Sequence, residues 1–148
     1  MEQYAGFHDG SFDGLWIDGK SVHIFLVTER RELFVFVAEG VAELAVDGVR
    51  SGNIVFDVLT RGPEEILPQD IQILYVLQPD STGEAQCASL LEKARLQEWK
   101  ILEINPSCGA SSLILASSIG LFRREDWMKR QLKPAESESR NGAAAGLP

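Results

Sequence analysis

Residues 12–28, FDGLWIDGKSVHIFLVT, decide the fold. Two apolar runs, 12–17 and 22–28, flank the pair Asp18-Gly19, and an Asp-Gly pair accepts the positive φ angles of a tight turn. Side chains alternate between the two faces of a strand, and both faces of the second run are largely apolar. The stretch therefore predicts a β-hairpin whose second strand is apolar on both sides.

Short apolar runs of the same kind recur along the chain at intervals of about 8–12 residues, which is typical of consecutive antiparallel strands. They predict strands at 33–38, 41–46, 53–60, 71–77, 99–104 and 111–117, with an extension of the last to Phe122 left open. Between residues 84 and 97 the apolar positions recur at helical spacing instead, which predicts a helix. Ser81 and Glu84 have the spacing of a capping box at its start.

About eight strands and one helix place the chain in the α+β class, with a mainly antiparallel sheet folded into a sandwich or a partly closed barrel. The 148 residues have the size of one domain. We expect a β-rich domain over 1–123 and a short surface helix over 124–133. Residues 134–148 are expected to form a disordered tail, because they have no large apolar side chain before Leu147 to offset the entropy of ordering.

The charge is acidic and lies in the predicted domain. The chain has 14 basic and 22 acidic side chains and a net charge of −8, and residues 1–123 carry 9 basic and 18 acidic groups. Such a surface repels phosphates and anionic lipids, which argues against nucleic-acid and membrane partners. The excess serves solubility or complements a basic protein partner. Without an apolar run of about 18 residues or a signal-peptide pattern, the protein is expected to be cytoplasmic.

No cofactor is predicted. Cys87 and Cys108 are the only cysteines and form no CxxC pair, so they suit two separate thiols rather than a zinc site. The chain also lacks the glycine-rich phosphate-binding motifs and the paired histidines of metalloproteases.

The densest polar cluster is FHDGSFDG at 7–14. The imidazole of His8 and the carboxylates of Asp9 and Asp13 are groups that can ligate a divalent metal, and Asp9 could orient His8 as a proton acceptor. The alternative interpretation is a turn leading into a strand, in which the carboxylates accept backbone N–H bonds.

Five residues on predicted strands are candidates for a ligand site. They are Trp16, His23, Phe25, Asp57 and Tyr75. His23 and Asp57 have apolar neighbours on the same strand face, so each needs a hydrogen-bond partner when buried, and the two could pair. The aromatic residues suit a core or rim, or the mouth of a barrel that takes a small ligand. Trp127 lies outside the main core pattern and suits an interface anchor or packing onto the sheet.

Four stretches between residues 7 and 60 resemble small β-rich bacterial proteins of uncharacterised function. They are Phe7-His8-Asp9-Gly10, GLWIDGK at 14–20, Glu39-Gly40-Val41 and GNIVFDV at 52–58. Some such proteins are discussed as immunity-type partners of toxins. The resemblance implies a β-rich fold more than an activity.

Three functions fit the sequence. The leading hypothesis is a non-enzymatic interaction protein whose acidic domain meets a protein partner or a second copy of itself. The alternatives are a small-ligand-binding barrel or sandwich and a metal-dependent hydrolase that uses His8, Asp9 and Asp13.

Overall fold

The structure, a computed structural model, describes residues 1–50 and 52–132. The strands in these ranges are β1 (Glu2–Gln3), β2 (Ser11–Asp18), β3 (Ser21–Val27), β4 (Leu33–Asp47), β5 (Ile54–Arg61), β6 (Lys100–Cys108) and β7 (Ser111–Arg123). The α-helices are α1 (Pro68–Tyr75), α2 (Ser81–Leu96) and α3 (Arg124–Gln131), and single 3₁₀ turns cover Ala5–Phe7 and Pro63–Glu65. The tail predicted over 134–148 lies outside the described residues.

The described strands form one antiparallel sheet with the order β1-β5-β2-β3-β4-β7-β6. β5 also pairs with β6, so the pairings form a ring. β2 and β5 pair only at Ser11 and Ile54, so the sheet is ring-like rather than a sandwich or a barrel. The predicted α+β class with an antiparallel sheet is confirmed. The predicted count of about eight strands and one helix is wrong, because the described ranges hold seven strands and three α-helices.

The hairpin predicted from residues 12–28 is confirmed as β2 and β3. The two strands pair antiparallel up to Asp18 and Ser21, so the loop consists of Gly19 and Lys20. Gly19 has a φ of +57°, which glycine adopts without a steric penalty. The turn therefore uses a glycine at positive φ as expected, but its two loop residues lie one position later than the predicted pair Asp18-Gly19.

The strand predicted over 71–77 is wrong, because most of this segment belongs to α1. Ile71 and Leu74, three positions apart, are 0% and 4% exposed, whereas Ile73 is 58% exposed. Pro68 is the first helical residue, where a missing N–H is tolerated. A short apolar run fits a strand or a helix equally well by pattern alone, and here the packing of one helical face decides.

β4 joins two strands that the sequence predicts separately, at 33–38 and 41–46. Gly40 has a φ of +62°, and the pairing with β7 is irregular between Val41 and Glu43. A bulge of this kind bends a strand without ending it. The extra residue of the bulge is Ala42, two positions after Gly40, and the chain continues through it as one long strand.

The helix predicted over 84–97 is confirmed as α2, which begins earlier, at Ser81. Asp80, rather than Ser81, is the N-cap, and its carboxylate accepts a hydrogen bond from the Gly83 N–H at 2.8 Å. A Cβ at Gly83 would collide with the carbonyl oxygen of Gln78, so the helix start has room only for glycine.

Two apolar clusters form the core on opposite faces of β6 and β7. The first cluster lies against β2 to β5 and includes Ile24, Leu26, Phe36, Leu102, Ile104 and Ile114. The second cluster lies between the sheet and the helices α1 and α2, and includes Ile71, Leu74, Cys87, Ala94, Ile101 and Leu115. Residues of both clusters alternate along β6 and β7, as expected of strands covered on both faces.

α3 lies within the segment 124–133, for which the sequence predicts a short surface helix. None of its residues is buried, and its backbone lies beside β4 and β7. Among the described helices, none has the length and apolar character needed to cross a bilayer.

Candidate functional site

The polar cluster near the amino terminus forms a turn. His8 Nδ1 donates to the carbonyl oxygen of Phe56 at 2.7 Å, and His8 Nε2 lies 3.6 Å from Asp9 Oδ2. Asp13 Oδ2 instead accepts a hydrogen bond from Arg124 Nη2 at 3.0 Å. The structure therefore does not bring His8, Asp9 and Asp13 together, and residues 1–50 and 52–132 contain no group of three metal-ligating side chains.

Three of the predicted ligand residues meet α3 in an aromatic cluster, formed by Trp16, His23, Phe25 and Trp127. The rings of Trp16 and His23 stack with centroids 4.7 Å apart, and Phe25 meets Trp127 edge-on at 5.2 Å. Trp127 Nε1 donates a hydrogen bond to His23 Nδ1 at 2.9 Å. The guanidinium of Arg124 lies 5.3 Å from the Phe25 ring centroid. These contacts fasten α3 to the hairpin.

The surroundings of His23 favour its neutral form. An indole N–H can only donate, so the Nδ1 that accepts from Trp127 carries no proton. Burial lowers the pKa of His23, and the charges of Asp18 and Glu39 oppose that shift only in part. Within the cluster, His23 is 5% exposed, whereas Trp16 is 41% exposed.

Asp57 and Tyr75 lie elsewhere. Asp57 Oδ1 accepts a hydrogen bond from Asn105 Nδ2 at 2.8 Å and not from His23, the partner considered in the sequence. Tyr75 lies at the end of α1 and packs against the second cluster. Burial raises the pKa of Tyr75, and the charge of Glu43 adds to that shift. The five predicted ligand residues thus occupy three separate places.

A network of five side chains with a buried centre links β5, α1 and β6; Arg61 and Asp70 are buried, and the other three, Asp57, Glu103 and Asn105, are half-buried. Arg61 holds Asp70 with two hydrogen bonds of 2.7 and 2.9 Å and Glu103 with one of 2.6 Å. Asn105 Nδ2 bridges Glu103 Oε1 at 3.0 Å and Asp57. Arg61 and Asp70 are 8% and 5% exposed, so the fork of the guanidinium meets the carboxylate away from water.

The charge of Arg61 is retained despite its burial. Burial by itself lowers the pKa of Arg61, but the hydrogen bonds and charges of Asp70 and Glu103 outweigh it, so the pKa is raised. One guanidinium offsets two bonded carboxylates, which leaves this region negative. Because Asp70 belongs to α1, the network fixes that helix to the sheet.

An acidic cleft of about 580 Å³ opens between α1 and the strands β4, β6 and β7. Its lining includes Glu43, Ala45 and Asp47 of β4, Ile73 of α1 with the C-cap residue Val76, and Leu113 of β7. The lining contains no lysine, arginine or histidine. Its volume falls within the range of about 300–1,000 Å³ that ligand sites occupy.

Glu43 and Asp47 carry the unpaired charge of the cleft. Their carboxylates accept hydrogen bonds from the neighbouring backbone N–H groups of Leu44 at 3.2 Å and Gly48 at 2.7 Å. No basic side chain in the described part of the chain pairs with either carboxylate. Both are therefore available to a cation from outside.

Two exposed apolar side chains line the same cleft, those of Ile73 in α1 and of Val76, the C-cap of that helix. Ile73 is 58% exposed and Val76 is 78% exposed. Val76 ends α1 with a φ of +51°, a conformation that β-branched residues seldom adopt. Exposed apolar surface next to unpaired carboxylates is suited to a partner that is both apolar and positively charged.

Sequence analysis missed this cleft. Its α1 wall lies in the segment predicted as a strand, and the position of α1 depends on the contact between Arg61 and Asp70, nine residues apart. The available signal was the spacing of Glu43 and Asp47, which places two carboxylates on one face of a strand.

Comparisons of the chain with protein-family models, curated proteins and solved structures find no match. The structural class of the protein is therefore defined by its fold and its site alone. It is an α+β protein with one ring-like antiparallel sheet and an acidic cleft beside its first helix.

Proposed function

We propose that the protein acts by binding, and that its partner is a protein whose basic segment docks in the acidic cleft. The observation that carries this proposal is the pairing of exposed Ile73 and Val76 with the unpaired carboxylates of Glu43 and Asp47. Apolar contact supplies affinity, while charge selects the partner and speeds the encounter.

The charge of the whole domain supports a basic partner. Residues 1–123 carry 18 acidic against 9 basic groups, so the long-range field attracts cations before contact is made. The resemblance of residues 7–60 to small bacterial proteins, some of them immunity-type, also favours a protein partner. A non-enzymatic role in the cytoplasm is part of this proposal.

A small organic cation is the second candidate occupant. The volume of about 580 Å³ favours it, because drug-sized ligands fill cavities of this size. In this alternative the ligand would lie beside Glu43 and Ile73. The aromatic side chains of Trp16 and Phe25, considered in the sequence as a ligand mouth, pack against Trp127 of α3.

The test uses the full chain and two end-capped fluorescent peptides, one of alternating arginine and leucine and one of alternating glutamate and leucine. Anisotropy titration at low salt should show binding of the basic peptide only. The double variant Glu43→Gln/Asp47→Asn should weaken binding about tenfold, because each exposed ion pair contributes up to about 1 kcal/mol.

The matched control removes the same charge elsewhere. Glu29 and Glu92 are exposed and lie outside the acidic cleft, so Glu29→Gln/Glu92→Gln should change the affinity less than twofold. Equal weakening by both double variants would show attraction to the overall charge and overturn the cleft as the docking site. Absence of binding to the basic peptide would overturn it as well.

A further inference from the structure

We infer that the segment bound by the acidic cleft is extended and carries two basic side chains four positions apart, with an apolar side chain midway. The inference rests on the proposed function and specifies the pattern by which the partner would be recognised.

The register of β4 sets the spacing of the two charges. The pairs are Glu43 with Leu115, Ala45 with Leu113 and Asp47 with Ser111, without irregularity between them. Since side chains alternate along a strand, Glu43, Ala45 and Asp47 share one face. Four residues at about 3.3 Å each separate the Cα atoms of the two acidic residues by about 13 Å.

An extended segment along β4 repeats that spacing. Its side chains at positions i and i+4 project to the same side about 13 Å apart, so two lysine or arginine residues reach both carboxylates. A helical segment rises only about 1.5 Å per residue and covers the same distance in about eight or nine residues. The preferred spacing of basic residues therefore reports the conformation of the bound segment.

The centre of the cleft is apolar. Ala45 lies midway between Glu43 and Asp47, lines the cleft and packs against the second cluster. Leu113 lies opposite Ala45, and the exposed side chain of Ile73 stands on α1. A residue at position i+2 of the bound segment would meet this apolar surface, where a charged side chain would lose hydration without a partner.

The side-chain network confines the available charge to β4. Asp70 also lines the cleft, but its oxygens accept from Arg61 and from the Leu67 N–H. Glu103 accepts from Arg61 and Asn105 in the same way. The carboxylates left for a visiting cation are those on the β4 wall, and their separation is fixed by a strand.

The experiment compares peptides of identical composition. Three end-capped nonapeptides contain two lysines, one leucine and otherwise serine, with the lysines at i and i+2, i and i+4, or i and i+8. Anisotropy titration of the full chain should give about fivefold tighter binding for the i and i+4 peptide. Glu43→Gln or Asp47→Asn should each abolish that preference, whereas Glu29→Gln should preserve it.

A charge exchange tests the pairing directly. Asp47→Lys should weaken the i and i+4 peptide, and replacing one of its two lysines by glutamate should restore binding to this variant. Far-UV circular dichroism checks that the variant is folded, and Asp47→Asn provides the same comparison without charge reversal. Glu29→Lys should show no such exchange.

The outcomes separate the two proposals. Equal affinity for all three spacings, with loss on Glu43→Gln/Asp47→Asn, would overturn the spacing inference and leave the proposed function standing. Preference for the i and i+8 peptide would indicate that the bound segment is helical and would also overturn the spacing inference. If diaminononane, a free diamine, competes at the affinity of the best peptide, the site belongs to a small cation and both proposals fall.

Discussion

The first two helices, α1 and α2, pack on the sheet by different contacts from those of the last helix, α3. α1 and α2 bury apolar residues such as Ile71, Leu74 and Ala94 in the second cluster, and Asp70 ties α1 to the side-chain network. α3 has no buried residue and is held by the hydrogen bond from Trp127 to His23, the ion pair of Arg124 with Asp13 and the contact of Arg130 with the Phe122 ring. The difference shows that α1, one wall of the acidic cleft, is anchored by buried core contacts, whereas α3 is anchored by a few surface side chains.

This contrast matters for binding because a preformed site avoids the free energy of ordering during association. α1 presents Ile73 and Val76 from a helix whose opposite face is packed. If the contrast is right, substitutions behind α1 should cost far more stability than substitutions beneath α3.

The largest effect is expected from Arg61→Met, which keeps an apolar stem and leaves Asp70 and Glu103 without their partner. Breaking a buried ion pair in this way lowers the free energy of unfolding by about 3–5 kcal/mol. Urea denaturation at neutral pH measures it. Arg95→Met is the control, because its partner Glu64 lies 3.9 Å away on the surface, and its loss should stay below about 1 kcal/mol. Similar losses for both variants would contradict the role of the network.

The next effect is expected from Ile71→Ala, which removes a side chain that is 0% exposed from the inner face of α1. Such truncations lower the free energy of unfolding by about 2–5 kcal/mol through lost burial and a residual cavity. Leu96→Ala on α2 is matched in chemistry but 74% exposed, and should change stability by less than about 0.5 kcal/mol. A small loss for Ile71→Ala would mean that α1 is not anchored by the core.

A smaller effect is expected from Trp127→Ala. The variant loses a hydrogen bond to His23 and edge contacts to Trp16 and Phe25, together about 1–2 kcal/mol. Denaturation curves give the loss, and the fluorescence of Trp16 should shift to longer wavelength as α3 leaves it. Leu132→Ala, at a site 77% exposed, should change neither the free energy of unfolding nor the fluorescence of Trp16. A loss as large as that of Ile71→Ala would abolish the contrast between the helices.

The smallest effect is a pH dependence at α3. Because the pKa of His23 lies below its usual 6.5 in the folded chain, the unfolded chain binds the proton more readily. The stabilisation is complete above about pH 6.5 and is lost as the pH falls through the folded pKa. Between about pH 7.5 and about pH 5, wild type should lose more stability than His23→Gln, whose carboxamide oxygen accepts from Trp127 without titrating. Equal pH dependence of both proteins would contradict this assignment.

The candidate site was only partly predictable from the sequence. The strand predicted at 41–46 contains Glu43 but ends before Asp47, which belongs to the same strand face only because β4 extends to Asp47 in the structure. The α1 wall of the acidic cleft was not predicted, because Ile73 was assigned to a strand. Of the predicted ligand residues, Trp16, His23 and Phe25 do meet, but around Trp127 of α3 rather than around a cavity.

By itself the sequence determined the antiparallel sheet, the β2–β3 hairpin, α2 and the acidic charge. The strands, the hairpin and the helix follow from the periodicity of apolar side chains and from turn residues, which act within a few positions. The net charge follows from composition. Neither depends on which distant residues come into contact. The tertiary structure decided that 68–75 is a helix, that 33–47 is one strand with a bulge between Val41 and Glu43, and that Asp57 pairs with Asn105. The physical reason is that a short apolar run or a lone carboxylate has several local solutions of similar free energy, and contacts between distant residues select one of them.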